Sequence, residues 1–119
     1  MNLSTYKWKN RLLLVFAPPA SEDYEEQLRL LEGLKPEFED RDLLLGRFLE
    51  GEVGELDGAA PPEDAAKLRN KFRLEPDSFA VLLVGKDSGE KFRSHEPVSS
   101  QDVLDLIDAM PMRRREMRG

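Results

Sequence analysis

Few side chains in this sequence are suited to chemistry. The 119 residues include no cysteine and a single histidine. Thiolate nucleophiles, disulfides, cysteine-ligated metals and multi-histidine metal sites are therefore excluded for this chain. We expect no metal and no cofactor. The composition favours a non-enzymatic role, although it leaves other kinds of enzyme open.

Three residues could still form a small-ligand or anion site. Ser21 precedes a group of acidic residues, a pattern typical of a helix start, where unpaired N–H groups attract anions. Tyr24 follows in the same turn, and His95 could act as a base if the fold brings it close to Ser21. The interpretation that we favour is structural: Ser21 caps a helix, and His95 lies in a surface loop.

The end of the chain combines cationic and adaptable apolar side chains. Residues 112–119 hold four arginines against one glutamate. Guanidinium groups bind carboxylates and phosphates, and methionine adapts to irregular apolar surfaces. We therefore predict a surface that binds a protein partner, with Arg113, Arg114 and Arg115 as its main contacts. Its full set is Met112, Arg113, Arg114, Arg115, Met117 and Arg118. The alternative is a cationic helix terminus without a ligand.

Charge and hydropathy exclude other classes of partner. The net charge is −6, and residues 1–60 hold 7 basic and 13 acidic residues, which argues against nucleic acid as a ligand. No segment approaches the ~20 apolar residues of a membrane span. The first ten residues lack the apolar stretch of a signal peptide. We expect a cytoplasmic protein by default, or a secreted or periplasmic one if the chain is a trimmed mature form.

Two other features are interpreted as structural and not as binding sites. Glu37, Glu39, Asp40 and Asp42 lack the spacing of a calcium loop and are interpreted as a solvated connection. Trp8 lies among basic residues, as in surfaces that stack on bases. We interpret it instead as part of the core or a lid over it.

The elements that would position these residues alternate along the chain. Continuous apolar runs indicate two central strands, an interrupted run indicates a third, and an alternating run indicates an edge strand. These strands are Leu12–Ala17, Phe79–Val84, Leu43–Leu49 and Lys91–Ser94. Helices are predicted after Ser21, after the Pro61-Pro62 pair up to about Phe72, and after Ser99. Pro36 should end or kink the first helix, and Pro111 should end or restart the last.

The resulting order, β-α-β-α-β-β-α, predicts a thioredoxin-like α/β three-layer sandwich with a mixed four-stranded sheet. We expect one domain over residues 1–119, with a core at about 8–110 and a basic extension at 111–119. In this fold a redox dithiol follows the first strand, where this chain has Ser21 and Tyr24. Thiol–disulfide exchange is therefore excluded.

The sequence also resembles the DUDES-type domains, a bacterial family of unknown function related to domains of vertebrate sushi-repeat and coiled-coil-domain matrix proteins. The resemblance runs from about Leu3 to Met117. The matching segments are Trp8–Pro18, Arg41–Leu43, Val84–Asp87 with Gly89, and Ile107–Arg114 with Glu116 and Met117. It implies a thioredoxin-like, non-redox domain and brings no catalytic residues.

Overall fold

The computed structural model describes residues 3–50, 54–59, 64–75 and 77–117. After a 3₁₀ helix at Leu3–Tyr6, its strands are β1 (Arg11–Ala17), β2 (Leu43–Leu49), β3 (Glu55–Leu56), β4 (Ala80–Val84) and β5 (Glu90–Ser94). Its helices are α1 (Glu22–Leu30), α2 (Lys35–Asp40), α3 (Ala65–Lys71), α4 (Ser100–Asp108) and α5 (Pro111–Met117).

The strands form one mixed sheet in the order β3-β2-β1-β4-β5. β1 runs parallel to β2 and antiparallel to β4, and the other neighbouring pairs are antiparallel. The thioredoxin-like order predicted from the sequence is thus confirmed. The sheet has five strands rather than the expected four, because β3 adds a short edge. This strand spans two residues, which pair with Gly46 and Arg47 of β2, so it is too short to leave a hydropathy pattern.

Helices cover both faces of the sheet. On one face Leu12, Leu14 and Phe16 of β1 pack with Leu68 and Phe72 from α3 and the turn after it. The other face carries alternate β1 residues and contacts α1, α2 and α4, through side chains that include Leu13, Val15, Phe38, Val103 and Ile107. Every residue of β1 is buried, as its uninterrupted apolar run predicts for a central strand.

Two prolines lie at helix starts in the described part of the structure. α1 ends at Leu30, several residues before Pro36, which occupies the first turn of the separate helix α2. Pro111 likewise opens α5, so the chain restarts a helix there. Asp64 caps α3 by accepting a hydrogen bond from the Lys67 N–H, while Pro61 and Pro62 lie outside the described residues.

Candidate functional site

The start of α1 is built as a helix cap. The Ser21 hydroxyl accepts a hydrogen bond from the Tyr24 N–H at 3.1 Å. Glu22, Asp23 and Glu25 follow in the first turn, where they complement the positive end of the helix dipole. The capping interpretation of Ser21 is confirmed. These carboxylates also make this helix end less favourable for a bound anion.

His95 lies at the same end of the sheet as Ser21. Its Nδ1 is 3.0 Å from the carbonyl oxygen of Phe79, which precedes β4, and its side chain is exposed. β4 pairs antiparallel with the end of β1, so the two residues share one sheet end. Within the described part of the chain, no hydrogen bond joins His95 to Ser21. The surface-loop interpretation of His95 is confirmed.

A buried glutamine holds α1 at this end of the sheet. Gln27 is fully buried, and its side-chain amide donates to the carbonyl oxygen of Val98 at 3.0 Å. Its side-chain oxygen accepts from the Val98 N–H at 2.7 Å. Both polar groups of the Val98 backbone are thereby satisfied in the segment that leads into α4.

The opposite end of the sheet carries a network of ion pairs, which we call the ion network. Its cations come from β1, the α2–β2 turn, the β4–β5 turn and α5, and its carboxylates from α2, the turn after it, α4 and α5. The members are Arg11, Arg41, Lys86, Arg113, Asp40, Asp42, Asp108 and Glu116.

Glu116 of α5 joins β1 and the β4–β5 turn within this network. Both of its carboxylate oxygens lie 3.2 Å from the guanidinium of Arg11, which is 1% exposed. The Lys86 Nζ donates to Glu116 at 2.7 Å and to Asp42 at 2.8 Å. Burial alone would raise the pKa of Glu116, but the hydrogen bonds and charges of Arg11 and Lys86 bring it below its ordinary value.

A second part of the network joins α5 to α2 and α4. Arg113 donates to Asp40 at 2.6 Å and to Asp108 at 3.1 Å. Arg41 donates to both oxygens of Asp108, at 3.0 and 2.9 Å. Burial opposes ionisation of Asp108, yet hydrogen bonds from the two arginines lower its pKa overall. Ion pairs therefore connect α5 to α2, to α4 and, through Glu116, to β1.

A groove of about 360 Å³ opens beside this network, and we call it the Trp8 groove. Trp8 is 60% exposed, and its backbone has a left-handed φ of 68°. The Trp8 N–H donates to the carbonyl oxygen of Lys86 at 2.6 Å. The expectation that Trp8 belongs to the core or covers it is thus wrong. The groove lining includes Trp8, Arg11, Lys86, Met110, Met112 and Arg115.

The structure separates the predicted C-terminal residues into different environments. Arg114, Arg115 and Met117 are exposed, Met112 is half-buried, and Arg113 is buried in the ion network. Arg118 lies outside the described residues. Arg113 is therefore engaged within the chain, because Asp40 and Asp108 occupy its guanidinium.

Sequence reasoning missed the burial of Arg11 and Lys86. Arg11 precedes an apolar run and Lys86 follows one, so both look like ordinary strand ends in the sequence. Asp40 and Asp42, interpreted as part of a solvated connection, instead pair with Arg113 and Lys86. The register of β1 with β2, which places Arg11 opposite Leu43, and the pairing of β4 with β1 bring the ends of these strands together.

The described residues contain neither a metal-binding cluster nor a membrane-spanning helix. They hold no group of three or more histidine, cysteine, aspartate or glutamate side chains arranged to bind a metal. They also include no helix with the length and hydropathy that crossing a membrane requires.

The sequence model of one protein family matches residues 2–116, which is nearly the whole chain. The chain belongs to the family "Domain of unknown function (DUF4174)". Two longer vertebrate proteins are similar to this DUF4174 chain. Coiled-coil domain-containing protein 80 of Danio rerio is 34% identical over 135 residues, with 97% of this chain and 15% of that protein covered. Sushi repeat-containing protein SRPX of Homo sapiens is 33% identical over 122 residues, with 97% and 26% covered. The predicted relation to such proteins is confirmed, and the DUF4174 chain spans about a quarter or less of their length.

Solved structures similar to the DUF4174 chain have a thioredoxin-like fold. The reduced 2-Cys peroxiredoxin of Plasmodium vivax aligns with a TM-score of 0.67 and 16% identity, over 97% of this chain and 85% of that one. Thioredoxin peroxidase I of Plasmodium yoelii aligns with a TM-score of 0.65 and 16% identity, over 95% and 79%. At this identity the similarity shows the fold alone.

Proposed function

We propose that this DUF4174 chain is a non-redox thioredoxin-fold module that binds a protein partner in the Trp8 groove. The observation that carries the proposal is the exposure of Trp8. Trp8 shares the groove with Met110, Pro111 and Met112, and an exposed apolar patch of this kind marks a binding surface. Tryptophan is also enriched among the residues that dominate binding energy. A left-handed backbone at a bulky residue is unfavourable and concentrates at functional sites.

The partner should present an apolar side chain next to a carboxylate. Met110, Pro111 and Met112 supply an adaptable apolar lining, while Lys91 and Arg115 add positive charge. Arg115 forms no ion pair among the described residues, so its guanidinium is available to an acidic group. Lys91 pairs with Asp87 at 2.8 Å and contributes less.

Selection from a displayed random-peptide library tests this proposal. We expect the enriched peptides to combine acidic and apolar residues. They should lose affinity for the Trp8→Ala and Arg115→Glu chains, by about 30-fold for Trp8→Ala if that side chain contributes about 2 kcal/mol. Lys67→Glu is the matched control, because Lys67 is an exposed helical cation on α3, outside the groove. Peptides that bind all four chains equally, or no enrichment, would contradict the proposal.

A small-ligand or anion site formed by Ser21, Tyr24 and His95 is the alternative proposal. Its support is the shared position of these residues at one end of the sheet. The capping role of the Ser21 hydroxyl and the nearby carboxylates weaken it. Phosphate titration followed by NMR tests it, since chemical shift changes confined to Ser21, Tyr24 and His95 would support this site over the groove.

The remaining proposals concern the extent and kinship of the domain. We infer that residues 1–119 form one domain and that residues 111–119 extend its core. The ion pairs of α5 with β1 and α2 support this view. We also propose that the DUDES-type domains and the DUF4174 family are one group.

A further inference from the structure

We propose that Arg11 and Lys86 form a carboxylate site that receives an acidic side chain of the partner, and that Glu116 occupies this site in the free protein. The inference rests on the proposed function and names the chemistry by which the Trp8 groove recognises its partner. Both cations line that groove beside the exposed Trp8 ring. A ligand in the groove therefore lies next to these two cations, which are 1% and 8% exposed while Glu116 contacts them.

The geometry is that of a carboxylate receptor. Two nitrogens of the Arg11 guanidinium face the two oxygens of Glu116, each at 3.2 Å. Paired contacts of this kind are how arginine recognises planar carboxylates. The Lys86 ammonium adds a third contact at 2.7 Å. The internal occupant is itself a glutamate side chain, which is why we assign the site to a partner's acidic side chain.

The two cations are held in place without Glu116. Arg11 also donates to the backbone carbonyl of Arg41 at 2.8 Å. Lys86 also donates to the Asp42 carboxylate at 2.8 Å. Neither of these partners belongs to α5. The site therefore keeps its shape when Glu116 turns away, which lowers the entropic cost of binding another carboxylate.

Glu116 is an exchangeable occupant. Its side chain is 27% exposed, and its 3.2 Å contacts with Arg11 are longer than the ~2.8 Å typical of charge-assisted hydrogen bonds. α5 has a further attachment through Arg113, which pairs with Asp40 and Asp108 and also lies 3.8 Å from Glu116. Rotation of the Glu116 side chain toward solvent would therefore empty the site while α5 stays docked.

The charge balance of the site favours replacement of Glu116 by another carboxylate over departure of Glu116 alone. Without Glu116, the charges of Arg11, Lys86 and Asp42 sum to +1, which one carboxylate neutralises. Arg11 is 1% exposed, so its charge needs a partner at all times. An acidic side chain entering the groove satisfies that need.

Three blocked or partly blocked peptides test the site. The first is acetyl-Leu-Glu-Met-amide, the second has Gln in place of Glu, and the third has Gln and a free C-terminal carboxylate. Binding is followed by the fluorescence of Trp8, the single tryptophan in the chain. The proteins are the wild type, Glu116→Gln, and the control Glu22→Gln, which makes the same change at the exposed start of α1.

We expect the Glu peptide to bind Glu116→Gln at least about tenfold more tightly than wild type, because the internal competitor has been removed. The Gln peptide should gain nothing, and Glu22→Gln should behave like wild type. A gain confined to the third peptide would overturn the assignment to an acidic side chain. Equal binding of the Glu and Gln peptides to every chain would refute the carboxylate site and leave the groove intact. No binding by any peptide would contradict both proposals.

A measurement on the wild type removes any dependence on how Glu116→Gln folds. Saturating Glu peptide should shift the NMR signal of the Arg11 guanidinium strongly and that of Arg113, whose Nη1 lies 3.8 Å from Glu116, only weakly. Unchanged Arg11 signals with a bound peptide would overturn the site. Equally large shifts of both arginines, together with the α5 amides, would overturn the exchange by side-chain rotation.

Discussion

Two neighbouring arginines in α5 show how strongly one position decides a residue's role. Arg113 is 5% exposed and lies between the carboxylates of Asp40 and Asp108, whereas Arg114 faces solvent. Successive helical residues point in directions about 100° apart, so a run of like charges cannot act as one unit. The run of arginines therefore has two roles, because Arg113 makes an internal structural contact and Arg114 belongs to the exposed surface.

Removing these side chains one at a time separates the two roles. Arg113→Ala should lower the free energy of unfolding by about 1–3 kcal/mol, below the effect at a fully buried pair because Asp40 is largely exposed. Arg114→Ala should change it by about 0.5 kcal/mol or less. Urea unfolding at neutral pH gives both values. Equal effects would show that Arg113 is not held as described.

Asp108 and Glu116 make the stability of the protein sensitive to acid. The folded structure lowers the pKa of both carboxyls, so each contributes stability above its unfolded pKa. That contribution should be lost as the pH falls below about 4 and passes through the lowered folded values. Urea unfolding at a series of pH values should show this loss, and Asp108→Asn should reduce its size. Asp105→Asn, on the exposed side of α4, should leave the wild-type profile unchanged.

At the level of secondary structure, one buried side chain orders the packing of α1. Gln27 bonds both polar groups of the Val98 backbone, in the segment between β5 and α4. Gln27→Leu should destabilise the protein by about 2–4 kcal/mol, since two buried backbone groups lose their partners. Gln101→Leu, an exposed change on α4, is the control in thermal unfolding. A small effect of Gln27→Leu would mean that water or other groups replace the amide.

The sequence predicts most of these elements, for reasons that are local. The apolar runs of β1 and β4 and the capping residues Ser21 and Ser99 act within a few neighbours, and the structure confirms all of them. β3 escaped prediction because two residues carry no periodicity. α2 escaped because Pro36 is compatible with either a helix end or a helix start.

The candidate site was predictable only in part, because it depends on long-range register. The methionines and the exposed arginines of α5 are visible as a composition signal. The burial of Arg11 and Lys86 is not, because their carboxylate partners lie between 30 and 105 residues away in the chain. Trp8 was misjudged because hydropathy favours burial, whereas its left-handed turn places the ring in solvent.

On the scale of the whole molecule, overall charge and local charge have opposite signs. The net charge is −6, yet the lining of the Trp8 groove includes Arg11, Lys86, Lys91 and Arg115 against the single carboxylate of Asp87. At short range the groove attracts an acidic segment, and at long range the protein repels it. Salt screens charges that lie more than one Debye length apart, so the ionic strength determines how strongly the distant charges of the protein act on a ligand.

Salt therefore distinguishes the two fields. Raising NaCl from about 0.05 to 0.5 M should weaken binding of the Glu peptide. Dissolved ions screen the attraction between the peptide carboxylate and the cations at the exposed rim of the groove, and this attraction contributes to affinity. The Gln peptide, measured alongside, should show little dependence. A Glu peptide whose affinity rises with salt would indicate that repulsion by the whole protein governs the encounter and that the groove contributes little charge.

The charged side chains of the edge strand β5 affect how copies of this domain behave when they are close together. It ends the sheet, and Glu90, Lys91 and Arg93 place charge along that edge. Charged side chains on an edge strand oppose pairing with a strand of another molecule, which is the first step of aggregation. Copies held at high local concentration, as on a surface or in a chain of many domains, would stay separate along this edge and remain free to engage their ligands.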